Sequence, residues 1–167
     1  STRELLRHKY GLSDEQADAA TSNVQDIARG DGLQPYVVSD NVVGSTQLAH
    51  EFLAWATTKG KHADAWHRIS RRYFGEAKSI FDIGSLADLA TDLGLDAGEA
   101  REALESGEYR SAVEADVRLG HERGVAGVPF FVIDERYAVS GAHPTETLLE
   151  VIRGAWDETP RAVASSA

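Results

Sequence analysis

The chain has 167 residues, 42% of them hydrophobic and 26% charged, and carries a formal charge of −10. Those values fit a globular domain able to bury roughly two-thirds of its unfolded surface, and they exclude a disordered chain. They also disfavour nucleic acid or an anionic membrane as a partner, because phosphate binding needs clustered Lys and Arg, and no apolar run approaches the roughly 20 residues of a membrane span.

Along the chain, Ser13 and Gln16 form a capping box that opens a helix ending near Arg29. Leu33 to Val38, interrupted by Pro35, reads as extended but not as a sheet strand. Ser45 or Thr46 caps a helix whose apolar face carries Leu48, Phe52 and Ala56, widened by Leu53 and Trp55 and stopped at Lys59-Gly60. The next helix places Trp66, Ile69, Tyr73 and Phe74 at helical spacing before Gly75, a stripe expected in the core. Asp82 opens a helix lined by Leu86, Leu89, Ala90 and Leu93, and Asp96 with Glu99 forms a second capping box on a helix closing at Gly107.

The last helix of this block runs from about Glu108 to Arg123, with Tyr109, Val113 and Val117 expected to face inward. The pattern then changes. Phe130 to Ile133 is apolar at every position, as in a strand covered on both faces, and the turn Asp134-Glu135-Arg136 leads to a second strand from Tyr137 to Ser140. A final amphipathic helix carries Leu148, Leu149, Ile152 and Trp156, and the residues after Asp157 read as a polar tail. Two short strands are marginal alone, so this hairpin calls for a larger sheet.

The side chains offer little conventional chemistry. There is no Cys, hence no disulfide, thiolate or cysteine metal site within this chain. His62 and His67, five apart, fall on different helical faces, and His8, His121 and His143 lack a second ligand at useful spacing, so no metal site is expected. Glu99, Glu102, Glu105 and Glu108 read as a solvated helix face, not as an acid–base pair. Gly124 to Pro129 follows a helix and lacks dinucleotide-loop spacing. There is no Met and the first residue is Ser1, which suggests either initiator removal or an N-terminal piece that lies outside this sequence.

Gly124-Val125-Ala126-Gly127-Val128-Pro129-Phe130-Phe131-Val132-Ile133, followed by Tyr137-Ala138-Val139-Ser140-Gly141-Ala142, resembles the C-terminal signature of FrnE-type proteins in the DsbA family of thiol-disulfide oxidoreductases. Val43-Gly44-Ser45-Thr46 with Ala49-His50, and Lys9-Tyr10-Gly11-Leu12-Ser13 with Glu15-Gln16-Ala17, look like that family's helix start and the entry to its inserted helical region. The likeness runs from about Arg3 to Trp156. It implies a mixed α/β, thioredoxin-like fold that is mostly helical in this chain. Residues 1–123 would be mainly the inserted helical domain, 124–157 the C-terminal ββα part and 158–167 a flexible tail. The family's first βαβ unit, with its Cys-x-x-Cys motif, would lie before Ser1.

The resemblance further implies that Pro129 is cis and that Val128 faces substrate, with Ser45, Thr46 and His50 near the groove. On the residues alone, a proline starting a strand is allowed because that position needs no donor, Val128 could simply pack, Ser45 or Thr46 could be an ordinary cap, and His50 a surface histidine. The implied partner is a thiol- or disulfide-bearing protein or a small thiol, with no cofactor, no nucleic acid and no membrane; a homodimer is compatible, and a cytoplasmic location is expected. Two rivals stay open: a glutathione-dependent isomerase or kappa-type glutathione transferase, and a non-catalytic peptide-binding module. The Tyr137 to Ala142 ending disfavours the first.

Overall fold

A computed structural model of the chain describes residues 1–158; the tail expected from 158 onward therefore lies, past Glu158, outside the described residues. The chain divides into two compact units, Ser1–Ala115 and the residues from Asp116 onward.

The first unit is helical. α1 (Thr2–Tyr10) was not anticipated, yet Ser1 and Glu4 form a reciprocal capping box at its start and Gly11, with φ 67°, ends it. α2 (Asp14–Gly30) begins with the expected Ser13–Gln16 box. α3 (Gln47–Thr58) buries Phe52, Leu53, Trp55 and Ala56. α4 (His62–Ser70) does not continue as an α-helix to Gly75: Arg71–Gly75 forms a π-turn, in which the Glu76 N–H donates to the Arg71 carbonyl at 3.0 Å. This register change separates the anticipated stripe. Ile69 is buried, while Trp66 is half exposed and is not a core residue.

α5 (Ile83–Asp92) is capped by Asp82, whose Oδ1 accepts from the Ser85 N–H at 2.8 Å. α6 (Ala97–Ser106) is capped by Asp96, but the second half of the expected box does not close there: the Glu99 carboxylate accepts instead from Lys59 Nζ at 2.6 Å. The core of this unit joins α3, α4, α5 and α6 through Phe52, Trp55, Ile69, Leu86, Leu89 and Leu104. Filling it with Leu and Phe side chains supplies the main stabilisation, at about 1.5–3 kcal/mol for each large side chain fully buried.

α7 (Arg110–Glu122) begins in the first unit and continues into the second. Val113 is buried as expected; Val117 is 53% exposed, against the inward placement its spacing suggested. In the second unit β1 (Phe130–Ile133) pairs antiparallel with β2 (Tyr137–Ser140), Phe130 opposite Ser140 and Ile133 opposite Tyr137. Asp134 and Glu135 take φ values of 52° and 54°, the pair of left-handed residues a tight hairpin turn needs, and the Arg136 N–H closes it on the Ile133 carbonyl.

β1 is not covered on both faces by the described residues: Phe131 and Val132 remain 39% and 38% exposed. α8 (Thr145–Glu158) buries Ala155 but leaves Leu149, Ile152 and Trp156 substantially exposed. Among the described residues the sheet has these two strands, and no helix is long and apolar enough to cross a membrane.

Candidate functional site

The proline loop lies in the second unit. Gly124, with φ 78°, turns the chain out of α7, and the Val125 N–H closes that end on the Gly120 carbonyl. The chain then runs through Gly127 to Val128, whose peptide bond to Pro129 is cis. Pro129 cannot donate, but its carbonyl accepts from the Gly141 N–H at 2.8 Å, which ties the loop to the end of β2. His143 closes the same end, its Nε2 3.0 Å from the Ser140 carbonyl oxygen.

Val128 is 87% exposed. Neither of its backbone polar groups has a hydrogen-bond partner among the described residues. A solvent-facing apolar side chain beside free main-chain N–H and C=O groups, immediately before a strand, is suited to pairing with an extended peptide. Packing among the described residues does not account for Val128.

Ser45, Thr46 and His50 belong to the first unit, Val128 and Pro129 to the second. Ser45 Oγ accepts from the Gln47 N–H at 3.3 Å, while the Thr46 side chain makes no capping bond, so Ser45 is the residue that serves the start of α3. His50 is exposed, its ring edge-on to Trp66 with centroids 6.2 Å apart.

The preceding segment is fixed by groups outside α3. Asn41, 1% exposed, donates through Nδ2 to the carbonyls of Val37 at 2.8 Å and Tyr73 at 3.1 Å. The Tyr73 hydroxyl donates to the Val42 carbonyl at 3.0 Å, and burial raises the phenol above its ordinary value. Gly44 packs against the Phe81 ring, where a Cβ would come within 2.8 Å of Cγ.

Sequence reasoning passed over Glu51, which is fully buried one residue beyond His50. Its Oε1 accepts from Gln47 Nε2 at 3.0 Å and lies 3.5 Å from Nε of Arg110 at the start of α7. A signal for it existed: Leu48, Glu51, Phe52 and Trp55 share the i, i+3, i+4, i+7 spacing of one helix face. Among the described residues no group of three or more His, Asp or Glu side chains could hold a metal ion.

Comparison with known proteins adds the family. Residues 4–153 match the sequence signature of a DSBA-like thioredoxin domain. The crystal structure of a probable DsbA oxidoreductase from Streptomyces coelicolor superposes with a TM-score of 0.86 at 38% identity, over 98% of this chain and 71% of that one. The uncharacterized protein YwbO of Bacillus subtilis is 30% identical over 91 residues, 54% of this chain, and the chain spans 46% of that relative's length.

Proposed function

This chain belongs to the family of DSBA-like thioredoxin domains, and on that premise we propose that it forms the substrate-binding part of a FrnE-type thiol-disulfide oxidoreductase. The family membership and the Streptomyces neighbour, itself described as a probable DsbA oxidoreductase, support the class of reaction. The observation that carries the reading to particular residues is Val128, 87% exposed and with main-chain groups unpaired among the described residues, just before Pro129. In the proposed division residues 1–123 are mainly a helical insertion, and 124–157 supply the ββα part of the thioredoxin-like domain.

The thiol chemistry requires a cysteine pair, and this chain has no Cys. In the proposed reaction a thiolate, its pKa lowered at a helix N-terminus, attacks a substrate disulfide. A mixed disulfide forms and one substrate thiolate leaves; the second cysteine thiolate then displaces the other substrate sulfur and closes the protein's own disulfide. Val128 pairs with the extended substrate backbone and Pro129 fixes the loop against β2; Ser45, Thr46 and His50, in the first unit, are proposed as further substrate contacts. The proposed substrate is a disulfide- or thiol-bearing protein or a small thiol, and the proposed location is the cytoplasm.

The test is made on the product of the whole gene. After reduction it should gain the mass of two alkyl groups from a thiol reagent and should reduce insulin, whereas the 167-residue chain should not. Val128→Asp in the thiol-bearing protein should raise KM for a disulfide peptide by about tenfold, the equivalent of 1.4 kcal/mol, and leave its reaction with a small disulfide unchanged. No alkylatable thiols, or turnover by the present chain, would overturn the oxidoreductase reading.

A further inference from the structure

A cleft of about 400 Å³ opens in the first unit between the Gly32–Tyr36 loop and the π-turn at Arg71–Gly75. Two aromatic rings line it: Tyr36 and Phe74 stack with centroids 4.9 Å apart and planes within 4°. Leu33 and Pro35 line it with them, as do His67, Ser70 and Arg71. The volume lies in the range of small-molecule sites, and the pattern is theirs too: a mainly apolar surface with a few convergent polar groups.

Charge identifies what the cleft would hold. Three arginines fall within five positions of this segment. Arg68 is clamped between Glu76 at 2.8 Å and Asp92 at 2.7 Å. Arg72 donates through Nε to the Ser79 carbonyl and lies 3.7 Å from Asp88. The Arg71 guanidinium, between them, has no carboxylate or hydrogen-bond partner among the described residues, although the chain carries 27 acidic residues against 17 Lys and Arg. Glu76 also lines the cleft, but its carboxylate is engaged by Lys78 and Arg68 and does not neutralise Arg71.

His67 lies one helical turn before Arg71, so both address one face. The π-turn that begins at Arg71 brings Phe74 and Gly75 to the same cleft; single π-turns inside helices recur at functional sites.

We propose that this cleft binds a small carboxylate with a flat apolar body, an aryl carboxylate being the simplest. The Arg71 guanidinium would hold the carboxylate through paired N–H groups, and Ser70 and His67 also line the cleft. The ring would rest on Phe74 and Tyr36 against Leu33 and Pro35. A single unpaired guanidinium, with the Glu76 carboxylate on the lining, suits a monoanion better than a phosphate dianion. All the lining residues belong to the first unit, and binding there needs no thiol.

The test is a titration of the isotope-labelled 167-residue chain with 2-naphthoate, followed by amide NMR, with 2-naphthamide and inorganic phosphate in parallel. Naphthoate should give saturable shifts centred on Leu33, Tyr36 and Phe74, and naphthamide and phosphate should each bind at least about tenfold more weakly. Arg71→Gln should weaken naphthoate by at least about tenfold, with Arg71→Lys between the two. Because Arg71 is exposed and unpaired, both variants should keep the parent spectrum elsewhere. Saturable naphthoate binding that Arg71→Gln leaves unchanged, equal binding of the amide or of phosphate, or no response at those amides would each overturn the proposal.

Discussion

A Cβ added at Gly44 would come within 2.8 Å of Cγ and 3.1 Å of Cβ of Phe81, closer than packed carbon atoms sit. Phe81 is not free to retreat, since its ring packs against the core and stands edge-on to Tyr73 at 5.6 Å. Gly44→Ala should therefore cost about 1–3 kcal/mol in urea denaturation, the usual penalty of overpacking. Gly30→Ala is the comparison, because nothing lies within 4 Å of that position, and it should be neutral or slightly stabilising. Equal effects of the two substitutions would show that the Phe81 contact does not restrain Gly44.

Residues of this kind divide by what a sequence carries about them. The Ser13 cap follows from bonding partners three residues away, and Pro129 was singled out from the motif around it. That Gly44 meets Phe81, or that Trp66 is half exposed while Ile69 is buried, depends on elements packed from elsewhere.

Among the elements, α3 and the start of α7 are tied by a charge pair. Glu51 is fully buried, and Arg110 stands 3.5 Å from it with its own side chain 58% exposed. Removing the guanidinium would leave a buried carboxylate with only Gln47 for support. Arg110→Ala should destabilise the chain by about 1–3 kcal/mol, the lower part of that range being favoured because water screens the exposed guanidinium. The same substitution in a Glu51→Gln background should cost much less, and a double-mutant cycle measures the difference. Equal penalties in both backgrounds would mean that Arg110 acts only through packing.

Helix starts were legible at Ser13, Asp82 and Asp96, where a cap stands beside an amphipathic run, but the Ser1 box that opens α1 was passed over. The π-turn was not. Five residues, Arg71 to Gly75, read as a continued helix because a shift of hydrogen-bond register leaves no local composition signal. The apolar run of β1 predicted a strand correctly, but not its exposure, which depends on what lies over it.

Across the first unit, pH acts through groups at the end of α3, the start of α5 and the π-turn. Hydrogen bonds from the Ser85 backbone and the Ser79 hydroxyl hold the Asp82 carboxyl below its ordinary 3.8, and Lys78 with Arg68 holds Glu76 below 4.5. A group depressed in the folded state contributes stability that is complete above its ordinary pKa and is lost as pH falls through the folded value. On the alkaline side, the hydrogen bond to Glu99 raises Lys59 above 10.5, and burial raises Tyr73 above 10.0. Their contributions are complete below those values and fade as pH rises through the folded ones.

The thermal midpoint should thus be flat between about pH 5.5 and 9 and fall on both sides. Asp82→Asn keeps a capping oxygen but removes the titration, so its acid limb should be shallower. A midpoint that keeps rising as pH drops below about 4 would mean that relief of the −10 net charge outweighs these bonds.

The sequence by itself determined the helix caps, the β-hairpin, the family likeness and the absence of any thiol in this chain, because each rests on residue identity or on neighbours within a few positions. Only the tertiary structure decided that, among the described residues, Val128 stands in solvent with free backbone groups, Glu51 is buried beside Arg110, and the Arg71 guanidinium is left unpaired at an aromatic cleft. The physical reason is range. Capping and turn formation are settled by atoms of adjacent residues, whereas exposure and charge pairing are properties of surfaces assembled from distant parts of the chain.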